Sequence, residues 1–185
     1  MFATGSSLFA LATAPGFPGW AGAGAANILC FVGSWFFTTA AWMQLALSDP
    51  CSRTERYSAA VQFAGTVLFN VSTGAAVWAH AVTAERRYVW APDATGSLAF
   101  LISGALGMVA VAATVGLIEL RSRDWIAGAV NLIGCVAFGV SALAAFVRKT
   151  GVTADEWLAN LGTFIGALCF LVAALVALPR SHHPG

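Results

Sequence analysis

The chain has 185 residues, of which 59% are hydrophobic and only 9% charged, and its mean hydropathy is +0.80. So few charges cannot cover a water-facing surface of ordinary size, which places the chain in a lipid bilayer. Nine basic residues against eight acidic ones leave a formal net charge of +1, so the basic footprint of a nucleic-acid binder is excluded.

The chain opens with "MFATGSSLFALATAPGFPGW", an apolar run that Pro15, Gly16, Pro18 and Gly19 bring to a stop. Ala12-Thr13-Ala14 has the form of a signal-peptide cleavage site, but no Lys or Arg precedes the apolar run as such a signal requires. The preferred reading of residues 1–19 is a short or truncated first span. Five stretches free of Asp, Glu, Lys and Arg follow, at residues 20–47, 57–82, 94–118, 125–147 and 157–178, each of 22 residues or more. About 20 helical residues cross the hydrocarbon core. Continuous apolar character, without two-residue alternation, predicts helices over barrel strands. The expected fold is therefore all-α: a polytopic membrane bundle of five full transmembrane helices plus the short N-terminal one, in a single domain over residues 1–185.

Trp20, Trp42, Trp78, Trp90, Trp125 and Trp157 fall at or near the expected ends, where an amphipathic ring prefers the headgroup level, and Trp35 lies inside a span. The connectors "SDPCSRTER", "TAERRYVWAPD", "ELRSRD" and "RKTGVTADE" are too short to hold an extramembrane domain. If the first run spans, both termini share a side with "SDPCSRTER" and "ELRSRD", and the five basic residues on that side, Arg180 included, against four in the other two connectors favour the cytoplasm.

A pattern of Gly, small residue, two others and Phe recurs six times, beginning at Gly5, Gly33, Gly65, Gly96, Gly134 and Gly166 and ending at Phe9, Phe37, Phe69, Phe100, Phe138 and Phe170. The copies are 28 to 38 residues apart, the spacing of one helix plus one connector. Gln62, Asp93 and Asn131 stand three residues before their glycines, and Asn27 and Asn160 stand six before theirs. On a helix, Asn131, Gly134, Phe138 and Ser141 form one stripe. Lipid gives no hydrophobic reward for helix association, so close approach at small residues and interhelical hydrogen bonds must supply it. The expected packing positions are Gly33, Gly65, Gly96, Gly134, Gly162 and Gly166, the last two forming a GxxxG. The candidate polar packing or pocket residues within the spans are Asn27, Gln62, Asn70, Asn131, Ser141, Asn160 and Thr163.

With "NLIGCVAFGVSA", "NLGTFIGALCFLVAAL" and "PDATGSLAFLIS", the chain from about residue 27 onward resembles the YrhK-like membrane proteins and related multi-span actinobacterial proteins. That resemblance implies a helical, membrane-embedded protein with a fuller first helix in related chains, and it hands over no catalytic residue. Eight Arg to one Lys, with abundant Ala and Gly, fits a GC-rich bacterial genome, and the expected location is the bacterial cytoplasmic membrane.

The residues that could carry chemistry point away from catalysis. His80 stands alone near a span end, and His182 and His183 form a short tail pair, so neither haem nor metal is expected. Cys30, Cys51, Cys135 and Cys169 form no C-x-x-C, and buried thiols behave as small apolar groups. Asp93, directly after Pro92, is expected to cap its helix at the interface, and Glu119 to close the same helix, which argues against proton-coupled pumping. Arg86, Arg87, Arg148 and Lys149 are expected to meet lipid phosphates. No catalytic signature is present, and no enzyme, cofactor or metal is expected. The partners expected are membrane lipids, a second copy or another membrane protein, with no nucleic acid. The favoured role is a non-catalytic structural or accessory bundle; the alternative is a small permease-like protein for a neutral solute or lipid.

Overall fold

The computed structural model describes residues 1–78, 81–148 and 150–178. The expectations for His80, Lys149, Arg180, His182 and His183 lie outside those residues. Among the described residues the fold is all-helical, apart from an isolated antiparallel bridge between Val147 and Thr153. Helix α1 covers Phe2–Thr13, the short α2 Phe17–Ala21, α3 Ala23–Leu47 and α4 Arg53–Ala75. The one-turn α5, Val82–Ala84, runs through a π-helical segment at Glu85–Trp90 into α6, Ala91–Val115. Helices α7, Arg123–Ala144, and α8, Glu156–Val176, complete the chain.

The helix starts have ordinary causes. Ser52, Ser122 and Asp155 each accept a hydrogen bond from a backbone N–H three residues on, of Glu55, Trp125 and Leu158, and Glu55, Asp124 and Glu156 place negative charge in the first turn. Gly116 ends α6 with φ of +106°, a conformation closed to most side chains.

Four helices are long and apolar enough to cross a bilayer, the mark of a membrane protein: Ala23–Leu47, the continuous Val82–Val115, Arg123–Ala144 and Glu156–Val176. Five full spans are thus not found among the described residues. The helix expected at 57–82 forms as Arg53–Ala75, with 23 residues. Its charged first turns and the polar residues Gln62, Thr66, Asn70, Ser72 and Thr73 keep it from the same apolar content. The first helix is short, at 12 residues. The stretch "TAERRYVWAPD" is also not a simple connector, since Val82 to Asp93 belongs to one 34-residue helix. Pro92 has no N–H for an α-helical bond, and its ring crowds the carbonyl four residues back. The widened turn at Glu85–Trp90 lies just before it, and the helix continues through the proline.

The long helices form a closed ring. Helix α1 packs on α3, α3 on α4, α4 on α6, α6 on α7, α7 on α8, and α8 returns to α1. In all six copies of the pattern the glycine, its small neighbour and the phenylalanine are buried: Ser6, Ser34, Thr66, Ser97, Cys135 and Ala167 are at most 2% exposed. The residues just before each glycine and two after it point outward, among them Val32, Trp35, Ile133, Val136, Ile165 and Leu168, an apolar rim suited to acyl chains.

The glycines explain how three of the six contacts are made. A Cβ at Gly134 would lie 2.7 Å from the ring of Phe170, and one at Gly166 would lie 2.5 Å from the ring of Phe138 and 3.1 Å from the Gly134 carbonyl. The same exchange joins Gly65 to Phe100 and Gly96 to Phe69, and Gly33 to Phe9 and Gly5 to Phe37. Each helix of a pair therefore lends its bare backbone to the ring of the other. In α3, α4, α7 and α8 the glycine falls near the middle of the helix, so the six rings meet at mid-depth. Gly162 of the GxxxG meets Ser141 Cβ and the Ala137 carbonyl.

An added methyl at these contacts must displace ring or backbone. Gly166→Ala is expected to cost about 1–3 kcal/mol, read as a lower unfolding midpoint in detergent micelles. Gly24→Ala, whose Cβ meets nothing within 4 Å, is expected to leave the midpoint unchanged or slightly raised. Equal effects at the two sites would contradict this packing.

Candidate functional site: two chambers on either side of an aromatic layer

The six phenylalanines build a two-tier barrier. Phe9, Phe69 and Phe138, from helices running one way, form a triangle with centroid separations of 6.5, 6.3 and 5.7 Å. From the helices running the other way, Phe37 and Phe100 each lie 6.0 Å from Phe170. Phe69 stacks on Phe100 at 5.0 Å and Phe138 on Phe170 at 5.2 Å, while Phe9 meets Phe37 edge-on at 5.5 Å. Such pairs contribute about 0.5–1.5 kcal/mol each beyond their buried area.

A hollow lies against each tier. The larger chamber, of about 440 Å³, touches Phe37, Phe100 and Phe170, and the smaller, of about 140 Å³, touches Phe9 and Phe69. No residue lines both. Phe2 and Ala177 border the larger chamber, as do Gln44, Ser58 and Asp124. Both ends of the described chain thus lie on one side with the connectors before Arg53 and Arg123.

The position three residues before each glycine faces a chamber. Helix direction decides which one: Phe2, Gln62 and Asn131 line the larger, and Cys30, Asp93 and Thr163 line the smaller. The sequence shows Gln62, Asp93 and Asn131 at this offset and offers Thr163 as a pocket candidate, but not their common role. Sorting the six copies by odd and even helix would have shown it.

The candidate polar residues divide accordingly. In the larger chamber Ser58 and Ser103 exchange hydroxyl-to-carbonyl bonds of 2.9 Å each, which uses the proton of both, and the Gln62 side-chain amide lies 3.3 Å from Ser103 Oγ. Asn131 approaches Cys135 Sγ at 3.8 Å, so the expected stripe of Asn131, Gly134, Phe138 and Ser141 joins a chamber wall to a packing seam. Asn27 donates to the Ala76 carbonyl at 2.9 Å and lines the smaller chamber, as does Thr163, 2.7 Å from Ser141. Ser141 also donates to the Ala159 carbonyl at 2.6 Å. Asn70 bonds Thr38 at 2.7 Å, leaving its Oδ1 buried without a partner. Asn160 lines neither chamber.

Asp93 departs from the sequence expectation. The helix runs unbroken through it, so it caps nothing, and it stands on the wall of the smaller chamber. Three residues along α6 separate it from Gly96, about 4.5 Å of axial rise. A carboxylate so close to the aromatic layer lies at membrane depth, where an ionisable group has a functional reason by default.

Nearby, Arg86 donates to the Val147 carbonyl at 2.6 Å and covers the Phe146 ring at 4.9 Å, while Trp90 Nε1 donates to the Ala142 carbonyl at 2.9 Å. These contacts tie the start of the Val82–Val115 helix to the end of α7. Arg86 therefore serves a protein carbonyl and ring rather than only lipid phosphate.

All four cysteines are free, and among the described residues no three His, Cys, Asp or Glu side chains gather as a metal site. The fold and its hollows define a helical membrane bundle with two hollows, each mostly apolar and studded with a few polar side chains, on either side of stacked aromatic rings. No family model, curated protein or solved structure matches the chain.

Ser103 ties α6 to α4 through partners on two residues. Ser103→Ala is expected to lower stability by about 0.6–1.7 kcal/mol in equilibrium unfolding from micelles. Ser7→Ala, which removes only an exposed bond to the Ala3 carbonyl within its own helix, is expected to change it little.

Proposed function

We propose that the protein is a non-catalytic, permease-like membrane bundle that receives small polar solutes in chambers on the two sides of its aromatic layer. One observation carries the reading: two separate hollows, each with polar side chains set in a mostly apolar wall, back onto opposite tiers of the same six rings. A bundle built only for packing has no use for such hollows, because unfilled volume forfeits dispersion contacts. In this reading the rings are the closed gate, and passage requires the paired helices to part at the glycines.

The same reading takes the six-copy pattern as an internal repeat and the chain as a relative of the YrhK-like proteins. It sets the bundle in a bacterial cytoplasmic membrane with both ends inside, surrounded by lipid and without an enzymatic activity. A structural or accessory role is the second reading, favoured by the tight glycine–phenylalanine contacts and by chambers that share no lining residue.

Purified protein in sealed liposomes is expected to give saturable uptake of at least one small polar solute from a panel of polyols, amides and amines. Phe138→Ala, which opens the barrier, is expected to raise that flux several-fold. Folded protein that passes nothing on the panel, with or without the substitution, would leave the structural reading in its place.

A further inference from the structure

The smaller chamber has a one-sided hydrogen-bonding character. Thr13 donates its hydroxyl proton to the Phe9 carbonyl at 2.8 Å, Ser72 to the Val89 carbonyl at 2.8 Å, and Thr73 to the Phe69 carbonyl at 2.7 Å. Ser34, 3.1 Å from Thr73, directs its own proton to the Phe31 carbonyl at 2.7 Å. Ser141 donates to the Ala159 carbonyl, so in the 2.7 Å contact between Ser141 and Thr163 the proton must come from Thr163. Asn27 must turn its nitrogen to the Ala76 carbonyl, which only accepts, and its Oδ1 is the other end of the amide.

Each of those hydroxyl groups has thus used its only proton, and what remains on it is lone pairs. Asp93 adds a carboxylate to the same wall. No Lys, Arg or His lines this chamber among the described residues. A hollow whose hydroxyl oxygens are left as acceptors, beside one carboxyl group and with no basic partner among the described residues at membrane depth, is complementary to a cation that the carboxyl can ionise to meet.

We propose that the smaller chamber binds a small monovalent cation, an alkali-metal or ammonium ion, through the Asp93 carboxylate, Asn27 Oδ1 and the oxygens of Thr13, Ser72, Thr73 and Thr163. A single carboxylate balances a single positive charge, whereas a divalent ion would leave an uncompensated charge in lipid. Neutral oxygen donors suit hard ions, and soft or transition metals have no comparable ligand set among the described residues. A volume of about 140 Å³ holds such an ion with a few waters and excludes larger organic cations. The site stands whether or not a solute crosses the aromatic layer, so its test reads binding and not flux.

Full-length protein in detergent is titrated with sodium, potassium, lithium or ammonium chloride against choline chloride at constant ionic strength, and the thermal unfolding midpoint is followed. At least one of the four ions is expected to raise the midpoint saturably above choline, and Asp93→Asn to abolish that rise. Should Asp93→Asn not fold, Thr73→Val serves in its place, with about a tenfold weaker apparent affinity expected and Thr73→Ser restoring it. No difference between these ions and choline, or a midpoint that responds to pH alone, would overturn the site. An ion response that persists unchanged in folded Asp93→Asn or in Thr73→Val would overturn it as well.

Discussion

The structure depends on one reciprocal contact, in which a glycine on each of two antiparallel helices receives the phenylalanine ring of the other. In water, apolar burial alone would hold such helices together, but acyl chains are as apolar as leucine. Dispersion between closely fitted surfaces must do the work instead, and it falls away within a fraction of an ångström. A missing Cβ is what permits that approach: at the six motif glycines the nearest neighbours of an added methyl would stand 2.5–2.9 Å away. The contact is made three times, on α1/α3, α4/α6 and α7/α8, and the ring of helices is closed by the remaining three interfaces.

The hollows follow from the same arrangement. Drawing six rings into one layer at mid-depth fills the centre there and leaves the axis wider above and below. Because successive helices alternate in direction, a residue at one fixed offset from the glycine is delivered alternately to the two sides. One motif therefore furnishes two chambers of different chemistry. The larger holds the amides of Gln62 and Asn131. The smaller holds Asp93 amid oxygens whose protons are bound elsewhere.

Much of the fold was legible in the sequence, and the failures have physical causes. The helices, the recurring glycine and phenylalanine, and the stripe from Asn131 to Ser141 follow from composition and the period of an α-helix. The lipid-crossing status of residues 57–82 did not, because the absence of charge was taken for apolarity although Gln62, Asn70, Ser72 and Thr73 stand in that run. Asp93 is not placed by the local sequence, because Pro92 has the form of a helix start, whereas a π-helical turn precedes it within one unbroken helix. The chambers were hidden for a different reason. Which side a residue faces depends on the direction of its helix, and which ring enters which glycine depends on pairing, and neither is written in the local pattern. Asn160 shows the limit from the other side, since an amide six residues before a glycine lines the smaller chamber in α3 but no chamber in α8.

The account of the interlock is tested most directly by a double-mutant cycle between Gly166→Ala and Phe138→Ala, measured as equilibrium unfolding free energies in one detergent. If the ring of Phe138 occupies the space that an added methyl needs, Gly166→Ala will be markedly less harmful once the ring is gone, with a coupling of about 1 kcal/mol or more. Additive effects of the two substitutions would show that the ring and the glycine do not meet, and would contradict the structure at its centre.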